Sequence, residues 1–436
     1  MTQHPNLTSR KTAQACGLAL SLLLAACGGG GGGTDTVAAA VTTPVSTTTT
    51  TTTTTTTGTA TPATPATPAT PATPATPTGP ALSAPAAAFV NLDLGNLFNY
   101  AAPTLPAYYG GGVANSDNTP ANNPATNAAA TLGRVLFYDK RLSVNNTVAC
   151  ASCHQQAQGF ADSSRFSTGF AGGLTTAHAM RLGNVRYYGP GTMFWDKRAT
   201  SVENQATQPI QHPVEMGFDA SNGGLAALLT KMQSLPYYPE LFAFAFGDAT
   251  ISEVRIQRAL AQFQRSMVAV SSRWDDGYAQ TFNPAANDNG LNTPIAGFTA
   301  QENRGRQLFM GNANQGGLNC AACHAPPTFA LTANSRSNGL DAGETTIFKS
   351  PSLKNVGMSA AFMHDGRFSS LEQVVEHYNS GVKDGPALDN RLRGGNGAPR
   401  QLNLPESDKA ALVAFLRTLN DTSLPNDPKF SSPFRQ

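Results

Sequence analysis

Residues 149–154 read ACASCH, and residues 319–324 read NCAACH; we call them the first and the second motif. Each contains Cys-x-x-Cys followed at once by His, the attachment signature of a c-type haem, in which the thiols bind the vinyl groups and the His binds the iron. Two short disulfides or one four-thiolate zinc site would also use four cysteines. Neither explains a His after each pair, because the 436 residues include only 7 His. The sequence therefore predicts two covalent haems, attached at Cys150, Cys153 and His154 and at Cys320, Cys323 and His324.

The segments around the two motifs are also alike. An amphipathic helical pattern precedes each motif, and another follows each of them further along the chain. These patterns occupy residues 126–137, 250–267, 299–309 and 406–419. Helix, haem motif, loops and helix is the order of elements in a c-type cytochrome domain, and strand patterns are sparse. We therefore expect an all-α fold with two cytochrome-c-like haem domains in tandem and long loops, in residues 85–290 and 291–436.

Two of the helical segments begin with Thr followed three residues later by Glu. This is the spacing of a capping box, in which each side chain accepts a hydrogen bond from the backbone of the other residue. The pattern predicts helix starts at Thr250 with Glu253 and at Thr299 with Glu302.

The N-terminus has the pattern of an export signal followed by a tether. Arg10 and Lys11 precede an apolar run that is too short to span a bilayer and ends in LAAC, which resembles a lipobox with Cys27 as the lipidated residue. The alternative is an ordinary signal peptide that ends beside a Cys. We expect residues 1–26 to be removed and the protein to lie in the periplasm. Its membrane contact would be a lipid anchor alone, in the outer membrane because Gly28 replaces the Asp that retains inner-membrane lipoproteins.

Residues 27–84 contain a Gly run, a Thr run and six Ala-Thr-Pro triplets. This composition cannot bury a core and predicts a disordered tether, extended where Pro recurs at every third position.

The net charge of the chain argues against a nucleic-acid partner. Loss of residues 1–26 would remove two basic side chains and leave 27 basic and 27 acidic ones, so we expect no nucleic-acid partner.

The sixth ligand of each iron decides function, because an iron with two protein ligands passes electrons and one with an open face can bind peroxide. For the second haem, apolar residues recur at helical spacing from Leu371 to Tyr378. This pattern places Tyr378 on the buried face and turns His377 toward solvent. Tyr378 could equally be an ordinary core aromatic residue, and Met358 and Met363 are the other candidate ligands.

Several segments together resemble the bacterial dihaem cytochrome c peroxidase and MauG superfamily. They read LGRVLFYDKRLS, CASCH, FWDKRATSVENQATQPIQHPVEMG, SLKNVGMSAAFMHDGRFSSLEQVVEHY and the final helix, in this order, within residues 125–420. Ordinary dihaem peroxidases have a Met ligand at the position of Tyr378, whereas MauG has a Tyr ligand. The resemblance therefore implies that Tyr378 binds the second iron. A tyrosinate favours higher oxidation states of iron than Met does, so the second haem would suit the holding of an oxidising equivalent.

The same resemblance implies roles at the first haem. Classical members carry a removable distal His in the stretch that corresponds to residues 156–176, and this chain has no His there, which implies an open first haem. Glu215 matches the catalytic glutamate, which takes a proton from peroxide and returns it to the leaving oxygen. Gln205 matches the pocket amide, and Trp195 matches the indole between the two haems.

His178 is the next His in the chain, and its role stays open. The family has Arg-Asn-x-Pro at this place, and the Asn helps to bind a calcium ion between the haems. This chain departs from that pattern at all three positions. His178 could contact a calcium ion between the domains, bind the first iron or simply be packed, and Met216 is a further candidate ligand of the first iron.

The resemblance implies a peroxidase that heterolyses hydrogen peroxide at the first haem, while the second haem stores or relays oxidising equivalents through Trp195. The reductant would be a small redox protein, a cytochrome c or a cupredoxin. The alternative use is MauG-like oxidation of a partner protein. In a different class, His178 or Met216 would close the first iron and leave a non-catalytic dihaem electron carrier. A peroxide sensor tethered to an envelope complex is a third alternative.

Overall fold

Helices account for nearly all the regular structure in residues 80–331 and 334–435, which this computed structural model describes. Extended segments pair there only through isolated bridges, so the predicted all-α fold class is confirmed. In the same ranges, the helices are all too short or too polar to cross a bilayer. The export signal, Cys27 and nearly all of the tether lie outside the described residues.

The α-helices are joined by long loops and short 3-10 turns. In chain order they are α1 Ala84–Ala87, α2 Asn127–Tyr138, α3 Cys150–Cys153, α4 Val202–Ala206, α5 Gln208–Gln211, α6 Gly224–Gln233, α7 Tyr237–Phe246, α8 Glu253–Arg265, α9 Arg273–Thr281, α10 Ala300–Met310, α11 Leu371–Glu376 and α12 Glu406–Arg417. A π-helical turn, His377–Gly381, continues directly from α11.

Two helix crossings form the framework, one around each motif. Helix α2 packs across α8, and α10 packs across α12. A Cβ atom on Gly133 would lie 2.0 Å from the carbonyl oxygen of Ala259, and one on Gly305 would lie 1.9 Å from that of Ala411. Each crossing therefore requires a glycine, because the two backbones approach too closely for any side chain. The same device in both places shows that the second half repeats the architecture of the first.

Replacing Gly305 with Ala is expected to destabilise the protein by about 1–3 kcal/mol, the usual cost of overpacking. Alanine raises helix propensity by about 1 kcal/mol, but the new Cβ would meet a backbone oxygen that cannot rotate away. Chemical denaturation of the haem-loaded protein measures the change. Gly395→Ala is the control, since a Cβ there meets no atom within 4 Å. Equal stability of the two variants would contradict the close crossing.

Of the two capping boxes predicted from the sequence, the structure contains one. At α10 the Thr299 hydroxyl accepts from the Glu302 N–H at 3.1 Å, and the Glu302 carboxylate accepts from the Thr299 N–H at 2.8 Å, so this capping box is confirmed. The box predicted at Thr250 is wrong, because Ser252 caps α8. The Thr250 N–H instead donates to the Asp248 carboxylate at 2.9 Å, which keeps these residues in a turn before the helix.

Chain segments cross between the two halves and join them. The C-terminal residues Leu424 and Phe430 pack into the apolar cluster around α2 and α8. In the opposite direction, Tyr108 and Tyr109 pack into the cluster around α10 and α12. Residues 80–435 accordingly belong to one compact unit.

Candidate functional site

The second motif lines a cavity of about 240 Å³. Cys320, Cys323 and His324 form one part of its wall. The rest is largely aliphatic, with side chains that come mainly from α11, α12 and the loops between α10 and α12. The aliphatic wall residues include Leu353, Val356, Leu371, Val374, Val375, Val382, Leu404, Leu412 and Leu416. An apolar cavity beside two thiols and an imidazole has the character that a flat hydrophobic macrocycle needs.

Tyr378 enters this cavity from the π-helical turn. Turns of this kind occur mostly at functional sites, and here the turn changes the register at the end of α11. His377 is 5% exposed, and its Nε2 lies 3.1 Å from the carbonyl oxygen of Asn338. The prediction that His377 faces solvent is therefore wrong, because the 100° step of an α-helix does not continue past Glu376. Met363 lines the same cavity, whereas Met358 is not among its wall residues.

The imidazoles of both motifs are held in the same way. Nδ1 of His154 lies 3.0 Å from the Phe160 carbonyl oxygen, and the His324 imidazole bonds to the Phe329 backbone. A carbonyl group can only accept, so Nδ1 of His154 carries the proton and Nε2 offers its lone pair. Burial lowers the pKa of both imidazoles, that of His324 to about 4. Each is therefore neutral and able to bind a metal.

The alternatives to haem find no support in the part of the chain that the structure describes. All four motif cysteines are free thiols there, so the two-disulfide arrangement is excluded. The four thiols also form no common group with metal-binding geometry. The four-thiolate zinc site is therefore excluded as well.

The two halves of the site meet through a reciprocal pair of backbone hydrogen bonds. The N–H of His178 donates to the carbonyl oxygen of His364 at 2.9 Å, and the N–H of Lys349 donates to that of Trp195 at 2.8 Å. The indole N–H of Trp195 also donates to the carbonyl oxygen of His178 at 2.8 Å. All four residues line the cavity of the second motif. Trp195 thus lies where the two halves touch.

The segments that make this contact repeat one another. Each begins with the residue that donates across the interface, His178 or Lys349. Each then has an Asn with left-handed backbone, a short 3-10 helix and an antiparallel bridge around Trp195 or His364. The corresponding elements are Asn184 and Asn355, Val185–Tyr187 and Val356–Met358, and the bridges Met193 with Ala199 and Phe362 with Phe368. In this register His178 corresponds to Lys349, and Trp195 corresponds to His364.

Several buried polar atoms on the cavity wall have no hydrogen-bond partner in the described structure. They are His178 Nε2, Arg181 Nε, Asn338 Oδ1 and His364 Nε2. Arg181 bonds through its other nitrogens to Ser359 and to the Ser352 carbonyl group, and burial lowers its pKa to about 10. A buried guanidinium without a carboxylate is costly. A haem fits this cavity because its macrocycle matches the aliphatic wall and a propionate would supply the acceptor that Arg181 Nε lacks.

His178 is buried at this wall. Its Nδ1 donates to the carbonyl oxygens of Ser164 and Arg165, both at 3.1 Å, and burial lowers the pKa of the imidazole, which is therefore neutral. Only Nε2 is left to meet a partner. The structure thus puts His178 beside Trp195 at the wall of the cavity that the second motif lines.

Glu215 lies close to the first motif. Burial raises the pKa values of the Cys150 and Cys153 thiols, and the negative charge of Glu215 adds to this effect. Burial also raises the pKa of Glu215 itself, against the lowering effect of the positive charges of His212 and Arg198. Its Oε1 is 3.8 Å from Nδ1 of His212, and 28% of the side chain is exposed. A half-buried carboxyl group with a raised pKa suits both acceptance and return of a proton.

Gln205 and Met216 are the other two residues that the sequence assigned to the first haem. Gln205 lies on α4, which packs against α8, and is half-buried. Met216 is 4% exposed and belongs to the apolar cluster of the first half. Cys150 packs against the same cluster.

Lys349 is a further residue of the site, which the sequence did not predict, and it is 6% exposed. Its Nζ lies 4.0 Å from the ring centre of Tyr188 and 3.2 Å from the sulfur of Met193, and burial lowers its pKa to about 7. Arg181 and His364 were missed too. A charged side chain in a loop looks solvated in a sequence, and the packing of one half on the other is what buries these three.

Comparison with known proteins adds to this geometry. The profile of the family described as di-haem cytochrome c peroxidase matches residues 127–282 and 299–388. The methylamine utilization protein MauG of Methylophilus methylotrophus is 32% identical over 321 residues, 70% of this chain and 86% of that protein. The cytochrome c551 peroxidase of Nitrosomonas europaea is 29% identical over 334 residues, 70% of this chain and 86% of that protein.

A solved structure of a MauG-like protein associated with microbial copper homeostasis is also similar. It has a TM-score of 0.60 and 29% identity, and the match covers 77% of this chain and 99% of that one. The residue ranges that match the family profile include both motifs, Trp195, Glu215 and Tyr378. The similarity thus extends over both motifs and over the three residues predicted to act beside them.

Proposed function

The chain belongs to the di-haem cytochrome c peroxidase family, and on that premise we propose how its two motifs divide the work of a peroxidase. Each motif attaches one haem c, and the bound irons supply the redox chemistry. Residues around the first motif act on hydrogen peroxide, and residues around the second hold or pass on the oxidising equivalents. The observation that carries this division is that Glu215 lies beside the first motif while Tyr378 lines the cavity of the second.

Glu215 is the proposed acid–base group. It takes a proton from one oxygen of hydrogen peroxide and returns it to the other oxygen, which leaves as water when the O–O bond breaks. Its raised pKa makes its carboxylate a stronger base in the first step than an ordinary exposed carboxylate. Gln205 would orient the peroxide from α4. Trp195 is the proposed route between the halves, since its indole and backbone both bond across their contact.

His154 and His324 would hold the two irons through Nε2, with Nδ1 of His154 fixed by a backbone carbonyl group. Tyr378 would bind the second iron through its phenolate oxygen. Arg181 would pair with a propionate and so remove the cost of its buried charge. His178 would accept a hydrogen bond from water through its free Nε2.

Two uses of this chemistry fit the relatives. Reduction of peroxide with electrons from a small redox protein, a cytochrome c or a cupredoxin, is the use that the peroxidase relatives favour. Oxidation of a partner protein is the second candidate, and Tyr378 favours it, because a phenolate ligand suits a centre that is kept oxidised. The similarity to MauG and to a MauG-like protein associated with copper homeostasis supports the same candidate.

We also propose a periplasmic location with a lipid anchor at Cys27, most simply in the outer membrane. This proposal depends on the sequence pattern of residues 10–28. Calcium fits less well. Ca²⁺ takes oxygen ligands, and His178 offers a nitrogen where the family has the amide oxygen of Asn. We therefore keep calcium as an alternative outside the proposed mechanism.

Haem content tests the two-centre proposal. The protein matured in a periplasm should retain two haems after denaturation, and the double variant Cys320→Ala with Cys323→Ala should retain one. The double variant should also lose turnover with a redox-protein donor, because its first haem has no partner centre. Pyridine haemochrome spectra give the haem count, and peroxide consumption gives turnover. The mirror variant, Cys150→Ala with Cys153→Ala, should keep one haem and lose the reaction with peroxide. Full turnover in either variant would contradict the proposed division.

A further inference from the structure

An aromatic column lies behind the second motif and has no part in the mechanism above. It consists of Trp274, Tyr278, Tyr108, Tyr109 and Tyr187, all between 1% and 4% exposed. Successive ring centres are 4.7, 4.8, 5.6 and 5.1 Å apart, and the Trp274 and Tyr278 rings stack at an interplanar angle of 26°. Rings this close offer a path for electrons through the interior.

A single residue, Phe329, lies between the second motif and the first ring of the column. The backbone of Phe329 bonds to the His324 imidazole, and its ring centre lies 4.8 Å from that of Trp274. Phe329 therefore connects the proposed iron ligand to the first ring of the column. This route leaves the second motif through His324 and Phe329. It is therefore separate from the proposed route through Trp195, which lies at the contact between the halves.

Tyr108 differs from the other rings of the column in its hydrogen-bond partner. Its hydroxyl group donates to Oδ1 of Asp275 at 3.0 Å, and Asp275 is 1% exposed. The hydroxyl of Tyr278 donates to a backbone carbonyl group, and that of Tyr109 accepts from the amide of Asn184. Of these three partners, only the carboxylate of Asp275 can readily take up a phenol proton. Within the column, Tyr108 is thus the ring that can lose an electron and a proton together.

Charge around Trp274 favours transfer onward to Tyr108. The ammonium group of Lys354 lies 4.7 Å from the ring centre of Trp274 and forms a buried ion pair with Asp275. A fixed positive charge at this distance disfavours a second positive charge on the indole. Burial and the charge of Asp275 raise the pKa of Tyr108, so the phenol stays protonated until it is oxidised. Tyr108 avoids positive charge by passing its proton to Asp275.

We propose that Tyr108 is a redox-active tyrosine, which takes an oxidising equivalent from the second centre when no external electron donor is present. One electron leaves Tyr108 through Trp274 and reduces the oxidised second centre by one equivalent. The O–H bond of Tyr108 breaks, and its proton moves to the Asp275 carboxylate, which leaves a neutral phenoxyl radical. A later electron from a donor returns the proton to Tyr108. This inference rests on the proposed function, because hydrogen peroxide supplies the oxidising equivalents.

Electron paramagnetic resonance of freeze-quenched samples tests it. The all-ferric, haem-loaded protein is mixed with one equivalent of hydrogen peroxide and no donor. We expect a radical signal that narrows when the protein carries ring-deuterated tyrosine, and this signal should be lost in Tyr108→Phe. The variant keeps the ring and removes one hydroxyl group, so the column should still pack; its haem spectrum and melting temperature verify this.

The chain offers a matched control in Tyr237→Phe. The hydroxyl of Tyr237 also donates to a buried carboxylate, Oδ2 of Asp139 at 2.5 Å, but Tyr237 belongs to the apolar cluster of the first half. Its loss should leave the radical signal unchanged. In D₂O the wild-type signal should form more slowly, because the phenol proton moves with the electron, an effect that a purely structural role of Tyr108 would not produce.

The possible outcomes separate this inference from the proposed function. A tyrosyl signal that persists in Tyr108→Phe, or the absence of any tyrosyl signal while peroxide is consumed, would overturn the inference and leave the peroxidase proposal standing. A haem spectrum that does not respond to peroxide in the wild type would overturn both.

Discussion

Replacement of Glu215 by Gln is expected to slow the reaction of the ferric protein with hydrogen peroxide by about a hundredfold or more, the usual range for loss of a general acid–base group. Glutamine keeps the shape of the side chain but cannot accept the proton of the peroxide. Stopped-flow absorbance at the Soret band measures the rate directly. Since peroxide still reaches the first haem, saturation should occur at similar peroxide concentrations.

The pH dependence follows from the direction of the pKa shift. Burial raises the pKa of Glu215, so its carboxylate is lost on acidification at a higher pH than for an exposed glutamate. The wild-type rate should therefore fall as the pH drops through this raised pKa, and Glu215→Gln should lose that step. Asp219→Asn is the control, since Asp219 lies in the same loop and serves only as a local cap. An unchanged rate in Glu215→Gln would show that Glu215 is not the base, and His178 would become the candidate for that role.

Replacement of Tyr378 by Met should raise the reduction potential of the second haem by tenths of a volt, within the range of about 0.8 V that axial ligands span. A neutral thioether stabilises ferrous iron relative to an anionic phenolate. The wild-type second haem should consequently resist reduction by a mild donor and react with peroxide without prior reduction. The variant should be reduced readily and behave as a conventional peroxidase.

A spectroelectrochemical titration of the two haems measures these potentials. Tyr378→Phe serves as a companion variant, because it removes only the donor oxygen and should open a coordination site. Met363→Leu is the matched control, since Met363 lines the same cavity and was the competing candidate ligand. A shift in Met363→Leu together with unchanged potentials in both Tyr378 variants would show that Met363 binds the iron and that Tyr378 is merely packed.

Local patterns in the sequence predicted much of this protein, and contacts between distant segments account for most of what they missed. The haem motifs, the four helical segments and the capping box at Thr299 depend on residues a few positions apart. The pattern that places Tyr378 on an inward face also led to the wrong expectation for His377. The π-helical turn that begins at His377 changes the angular step per residue, and the residue pattern does not predict that change.

The missed residues of the cavity share one physical cause. Lys349 and Arg181 are buried because one half of the chain packs on the other, and a loop sequence contains no sign of such packing. The displaced helix start at Thr250 has a local cause instead, since Asp248 accepts the N–H that the predicted capping box would have used. Side-chain chemistry is visible in a sequence, but its surroundings are not.

The reciprocal hydrogen bonds between the two halves have an evolutionary consequence. Related segments that donate to one another in both directions are the hallmark of a twofold dimer, so the chain has the geometry of a dimer fused into one polypeptide. Identical subunits would be forced to place the same side chain at both related positions. Within a single polypeptide that constraint is absent: tryptophan stands where the other half has histidine, and histidine where it has lysine. Such broken symmetry is what the proposed division requires, in which one haem motif is the site of chemistry and the other is the reservoir.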